Sequence, residues 1–291
     1  YWYFNCAFGR TIFLLVAHQK SSPHPEIILM SLVAEKLSLN CSGVFLLRDV
    51  NVSILPGKIT TIVGPNGAGK TSLLRCLSND ISPTSGSVIF NGKDINNWDP
   101  IDRAKSLSVL PQHSSLDFPF TAEEVVLLAR IPHDTGSIRD DEIVAAALKI
   151  VDATYLANRQ YTQLSGGEKQ RIHLARSLAQ IWDLNTKQKD YNDRFLLLDE
   201  PTSSFDLAHQ QLTLEIVSSF SSKGIGILLV MHDLNLAAKC SDQVIMMECG
   251  KPVKTGLPKE VFTAENIEHS IITAQKILSL QNGVKYFGMS G

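Results

Sequence analysis

Short, uninterrupted apolar runs alternate along this chain with stretches of helical periodicity. Residues 59–63 (Ile-Thr-Thr-Ile-Val), 195–198 (Phe-Leu-Leu-Leu) and 226–231 (Gly-Ile-Leu-Leu-Val-Met) are continuous and brief. That pattern belongs to strands buried on both faces of a parallel sheet. Residues 87–90 read as a further strand, closed by Asn91-Gly92, a dipeptide suited to a tight hairpin turn. A helix is expected to open at residues 71–77. Residues 121–160 carry mostly helical patterns, clearest over 140–151. Residues 168–180 place Ile172, Ala175, Leu178 and Ala179 on one helical face. Strands and helices in alternation predict an α/β core, interrupted by a helix-rich section at about 115–182. The polar stretch 183–193 is expected to be an exposed loop between that section and the next core strand. No internal repeat and no low-complexity segment interrupts the pattern.

Composition narrows the class. At 291 residues the chain can bury a sizeable core, and 44% hydrophobic with 19% charged residues is ordinary for a globular protein. The 27 basic and 29 acidic residues nearly cancel, so there is no bulk electrostatic reason to expect nucleic acid as a partner. Five cysteines (Cys6, Cys41, Cys76, Cys240 and Cys249), with no C-x-x-C spacing, read as free thiols. No apolar run approaches the roughly 18 to 20 residues a spanning helix requires. The apolar stretch 11–17 after Arg10 has some character of a signal peptide, a reading set aside on the chemistry of the motifs below. A good strand pattern begins only after Met30, which is expected to be the natural start. Residues 1–29 would then be a non-native or disordered extension, 30–271 the domain, and 272–291 a tail.

Three motifs carry chemistry. The first is Gly64-Pro65-Asn66-Gly67-Ala68-Gly69-Lys70-Thr71, followed by Ser72, set between a predicted strand and a predicted helix. That is the context of a phosphate-binding loop. Its glycines let successive N–H groups turn inward on phosphate oxygens, and the following helix presents its positive end. Lys70 is expected on the β- and γ-phosphates and Thr71 on Mg²⁺. The second is Phe195-Leu196-Leu197-Leu198-Asp199-Glu200. A buried strand ending in carboxylates delivers them to the ligand-binding edge of the sheet. Asp199 is the expected Mg²⁺ carboxylate and Glu200 the general base for an attacking water. The third is Leu164-Ser165-Gly166-Gly167-Glu168. Ser165 with Glu168 makes a capping box. Capping does not explain two consecutive glycines in a first helical turn, where they cost stability. Bare glycine N–H groups beside a serine hydroxyl at a helix N-terminus make an anion site.

These motifs together resemble the nucleotide-binding domains of ABC ATPases, over residues from about 32 to about 271. The resemblance implies a P-loop NTPase core with an antiparallel β subdomain and an inserted helical subdomain. It implies ATP and Mg²⁺ as cofactors and a head-to-tail homodimer, each ATP held between the P-loop of one copy and Ser165, Gly166 and Gly167 of the other. Gln112, in Val109-Leu110-Pro111-Gln112, resembles the Q-loop glutamine linking Mg²⁺ and the attacking water to a membrane permease. His232 resembles the switch histidine on the γ-phosphate, and Asp206 the D-loop aspartate. Two positions depart from the family pattern. Ser203-Ser204-Phe205-Asp206 has Phe205 where leucine is usual. Cys41 stands where many relatives carry an aromatic that stacks on adenine, with Phe45 nearby as a possible substitute.

The stretch after Gln112, from His113 through Arg130-Ile131-Pro132-His133, resembles the hemin-import ATPases, as do Tyr161-Thr162-Gln163-Leu164 and Asp206-Leu207-Ala208-His209-Gln210. The implied role is the ATP-hydrolysing subunit of an importer. It would sit on the cytoplasmic face of a bacterial inner membrane with an integral permease, and indirectly with a periplasmic binding protein. His113 and His133 are expected on the permease-docking surface and not as heme ligands. A ferric siderophore or cobalamin importer of the same architecture remains open. So, with less support, does a soluble non-transport ABC ATPase: repair ATPases insert a long coiled coil between P-loop and signature, but the roughly 95 residues here show no sustained heptads.

Overall fold

The computed structural model describes residues 31–112, 116–182 and 193–268. The expected extension 1–29, the tail 272–291, His113 and nearly all of the polar stretch 183–193 lie outside these.

The chain opens with β1 (Leu32–Cys41) and β2 (Val44–Ile54), then β3 (Ile59–Val63), α1 (Lys70–Leu77), β4 (Ser85–Phe90), β5 (Lys93–Asp94), α2 (Pro100–Ser106) and β6 (Leu107–Leu110). The inserted helices α3 (Ala122–Leu127), α4 (Ser137–Ile150) and α5 (Gly166–Ile181) follow. The core resumes with β7 (Phe195–Asp199), α6 (Leu207–Ser222), β8 (Gly226–Val230), α7 (Leu234–Cys240), β9 (Gln243–Glu248), β10 (Lys251–Gly256) and α8 (Pro258–Val261). Two sheets form, an antiparallel one ordered β2-β1-β4-β5 and a larger one ordered β10-β9-β3-β8-β7-β6. In the larger sheet β9, β3, β8, β7 and β6 run parallel, and β10 joins antiparallel at the edge. The fold class is the one the motifs imply.

The continuous apolar runs are the central strands, and both their faces are used. On β7, Leu196 and Leu198 pack into a core shared with α3, α4 and α5, whereas Phe195 and Leu197 face a second core holding α1 and the antiparallel sheet. Each such leucine, fully buried, stabilises the fold by roughly 1.5–3 kcal/mol. Val125, Val126, Leu148, Ile172 and Leu178 from the inserted helices lie in the same core as β7. The insertion is therefore fastened to the sheet by continuous apolar packing.

Helix ends follow local chemistry. The α3 helix begins at a capping box of Thr121 with Glu124, and α5 at one of Ser165 with Glu168. That box draws Gly166 and Gly167 into the first turn, two residues ahead of the periodic stretch. At Asn91-Gly92 the chain turns from β4 into β5.

Candidate functional site

The phosphate-binding loop is shaped by backbone that only glycine adopts freely. Gly64, Gly67 and Gly69 have φ of 148°, 78° and 96°. A Cβ on Gly64 would stand 2.2 Å from the Met247 carbonyl oxygen, and one on Gly69 2.6 Å from that of Leu46. β9 and β2 thus clamp the loop from outside. Ala68 is buried, and its carbonyl accepts from Gly250 N–H at 3.0 Å. Pro65 is half-buried, Asn66 and Gly67 are exposed at the mouth, and Thr71 and Ser72 open α1. Lys70 is buried, with its ammonium donating to the carbonyls of Gly64 (2.8 Å) and Pro65 (3.0 Å). Burial lowers its pKa, while the Glu200 and Asp199 carboxylates oppose that shift.

Strand order brings the other motifs to the same edge. Asp199 ends β7 and is buried, its carboxylate hydrogen-bonded to the Thr71 side chain. Burial raises its pKa and Glu200 adds to the rise, against the Thr71 hydrogen bond and the charges of Lys70 and His232. Asp199 Oδ1 is buried with no hydrogen-bond partner. Gln112, two residues past β6, lines with Thr71, Asp199 and Arg176 a cavity of about 690 Å³. Glu200 follows Asp199 at φ 53°, and its N–H bonds the Val230 carbonyl on β8 at 3.0 Å. Two residues beyond Val230, His232 Nε2 meets Glu200 Oε1 at 2.5 Å. Lys70, Thr71, Gln112, Asp199, Glu200 and His232 are thus brought to one edge of the sheet.

Ser165, Gly166 and Gly167 are not gathered with them. The Ser165 hydroxyl accepts from Glu168 N–H (3.4 Å), and the Glu168 carboxylate accepts from Ser165 N–H (2.8 Å). That main-chain bond, with the Ser165 side chain, lowers the Glu168 pKa. A Cβ on Gly166 would touch nothing. Packing inside this chain therefore gives no reason for glycine at position 166.

With this geometry in place, the comparisons are specific. Residues 47–203, from β2 to just past Glu200, match the ABC transporter family. The chain belongs to the ABC transporter family. A hemin import ATP-binding protein of Pseudomonas fluorescens is 45% identical over 234 residues, 80% of this chain and 89% of that protein. One from Gloeobacter violaceus is 45% identical over 239 residues, 81% and 86% of the two chains. In fold, the chain is similar to the ATP-binding subunit of an ABC transporter, with a TM-score of 0.69 at 19% identity, covering 86% of this chain and 99% of that one. It is also similar to a dimeric ATP-binding cassette in a post-hydrolysis state with ADP and Pi, with a TM-score of 0.67 at 23% identity over 78% and 98%.

Several features of this ABC subunit escape a linear reading. His133, expected on a docking surface, and Arg130 in the same stretch both bond to the end of α5. Arg130 is 3% exposed and donates to the carbonyls of Ala179 (2.8 Å) and Trp182 (3.2 Å), to Asp140 (2.8 Å) and to Thr135 (3.0 Å). His133 Nε2 bonds the Gln180 carbonyl at 2.7 Å, and Arg194 bonds that of Ile181. The last carbonyls of α5 lack partners within the helix; Arg130, His133 and Arg194 satisfy them, and the two arginines also meet its dipole. A one-residue bulge at Leu46 pairs Phe45 with Asn40, on the face opposite Leu39 and Leu47, and the Arg48 guanidinium lies 5.3 Å from its ring. Cys41 pairs with Val44. Asp206 N-caps α6, accepting from the N–H (2.9 Å) and Nδ1 (2.8 Å) of His209, and Phe205 lies against the His209 ring at 6.1 Å. Sequence reading also passed over Gln170, which touches Glu200 across 30 positions. No local signal marks such a contact.

Proposed function

We propose that this chain is the ATP-hydrolysing subunit of a bacterial hemin importer. What carries the catalytic part is the convergence of Lys70, Asp199, Glu200 and His232 on one sheet edge. What carries hemin is identity of about 45% over most of the chain with proteins named for hemin import.

The N–H groups of residues 66–71 cradle the β- and γ-phosphates, and Lys70 swings its ammonium from the Gly64 and Pro65 carbonyls onto them. The buried, unpartnered Asp199 oxygen beside the Thr71 hydroxyl is a donor set suited to a hard divalent cation. Thr71, Asp199 through water, and Gln112 would hold Mg²⁺, which when bound neutralises charge developing on the phosphates. Glu200 takes the proton of the attacking water, and His232 orients that carboxylate and reaches the γ-phosphate.

The open turn at Ser165, Gly166 and Gly167 supports a head-to-tail homodimer in which it binds the γ-phosphate of the partner's ATP. The partners are a second copy, an integral permease reached through Gln112 and the segment after it, and indirectly a periplasmic binding protein. The site of action is the cytoplasmic face of the inner membrane. Among the described residues no helix is long and apolar enough to cross a membrane, which suits a peripheral subunit. The test is reconstitution with a hemin permease in liposomes. ATP-driven hemin accumulation is expected. Uptake of a ferric siderophore or cobalamin in its place would move the subunit to a sister importer.

A further inference from the structure

One hydrogen bond joins two parts of the site that the reaction scheme treats separately. Gln170 lies on α5, in the turn after the Ser165 cap, and donates from Nε2 to the main-chain carbonyl of Glu200 at 3.1 Å. The same carbonyl accepts from Ser203 Oγ (3.1 Å) and Ser203 N–H (3.3 Å). Glu200 is a non-glycine residue at φ 53°, a left-handed conformation that persists only where its surroundings enforce it. Its N–H is fixed by Val230 and its carboxylate by His232. The carbonyl is the remaining handle on its orientation, and α5 holds part of it. The same two segments also approach closely at a second point: a Cβ added to Gly167 would lie 3.4 Å from the Ser204 carbonyl oxygen.

We infer that Gln170 is a positioning residue for the Glu200 carboxylate, tying the general base to the signature helix of the same chain. The inference deepens the proposed reaction and rests on Glu200 being its base. It has a consequence for the dimer. Ser165 caps the helix that carries Gln170, and in the head-to-tail arrangement Ser165 faces the partner's ATP. Movement of α5 when one composite site closes is then felt by the base of the other.

The test uses the full chain with Gln170→Met, which keeps length and packing but has no N–H donor, and Gln170→Glu, which sets an acceptor against an acceptor. Loss of one such hydrogen bond predicts a fall in kcat of about 3- to 10-fold for Gln170→Met and a larger one for Gln170→Glu. KM for ATP and Tm should stay at wild-type values. The residual single-turnover rate of Glu200→Gln should not fall further when Gln170→Met is added, because the residue acts only through the base. Wild-type kcat in Gln170→Met overturns the inference, as does a kcat loss matched by a lower Tm, or a double variant slower than Glu200→Gln by the full single-variant factor. Wild-type turnover in Glu200→Gln itself would overturn the base assignment and this inference with it. Loss of turnover there, with Gln170→Met unaffected, overturns the inference alone.

Discussion

His232 Nε2 lies 2.5 Å from Glu200 Oε1, and the register of two neighbouring strands places both groups. Asp199 on β7 pairs with Val230 on β8, so the residues that follow emerge side by side at one edge of the sheet. Replacing Glu200 by Gln keeps the size and a hydrogen bond to His232 but removes the base. Hydrolysis should fall by about 10²-fold or more, the usual scale of general-base catalysis. ATP should still bind and hold a closed dimer, detectable by size-exclusion chromatography with ATP. Hydrolysis within about threefold of wild type would remove Glu200 from the role.

Lys70→Ala acts earlier, on binding. The ammonium sits where several phosphate oxygens must be met, and its present partners are two loop carbonyls. A charge-assisted hydrogen bond contributes about 1.5–3 kcal/mol, so nucleotide affinity should drop by about 10- to 100-fold. Calorimetric titration with a non-hydrolysable ATP analogue checks this. An unchanged Kd would count against the phosphate-loop assignment.

Arg130→Met should be among the more damaging single changes in the inserted helices. It strands the half-buried Asp140 carboxylate and leaves the Ala179 and Trp182 carbonyls without their shared donor. Breaking a buried ion pair from one side costs about 3–5 kcal/mol. Arg159→Met, which removes a more exposed partner of Glu168, should cost less than about 1 kcal/mol. Urea unfolding of the two variants compares them directly, and equal midpoints would show that the Arg130 network adds nothing.

His133 makes the same helix end sensitive to acid. Burial lowers its pKa below the ordinary 6.5, and the nearby Arg130 charge lowers it further, against the Gln180 carbonyl and Asp140, which raise it. The folded protein thus binds this proton less readily than the unfolded chain. Stability from the neutral ring is fully present above about pH 6.5 and is lost as pH falls from there through the lower folded value. His133→Gln retains a donor for the Gln180 carbonyl without titrating. The Tm of wild type relative to this variant should be constant above about pH 7 and decline below it. A pH-independent difference would mean that the ring does not titrate in this window.

How much of this was legible along the chain depended on distance in sequence. The loop at 64–71, the apolar run into Asp199-Glu200 and the capping box at Ser165 are local patterns, because each does its work within a few residues. The role of Arg130 was hidden for the opposite reason: its acceptor at Ala179 is 49 positions away. An arginine reads as surface until the helix end it satisfies is known. The bulge that turns Phe45 away from Leu47 depends on pairing with β1, which alternation along β2 alone does not specify. Gln170 follows the signature in plain view, yet its partner is the backbone of a residue on another element.

The dimer supplies the most discriminating experiment. Ser165 caps a helix of the insertion, whereas Lys70 and Glu200 stand on the sheet core, and none of the Ser165 hydrogen bonds among the described residues reaches the P-loop of its own chain. If its turn binds ATP, that ATP belongs to a partner. Lys70→Ala and Ser165→Arg should then each be inactive alone, since every composite site in either homodimer carries a defect. In a mixed dimer, one site collects both defects and the other has neither. Hydrolysis should return on mixing, toward half of wild type per mixed dimer. A lone chain using its own Ser165 would show no rescue at any mixing ratio. A strict requirement for two working sites would also show none, and a disulfide crosslink engineered between the P-loop of one chain and the signature turn of the other separates those two outcomes. Crosslinking across chains with no rescue means shared but interdependent sites. No crosslink and no rescue would refute the head-to-tail arrangement.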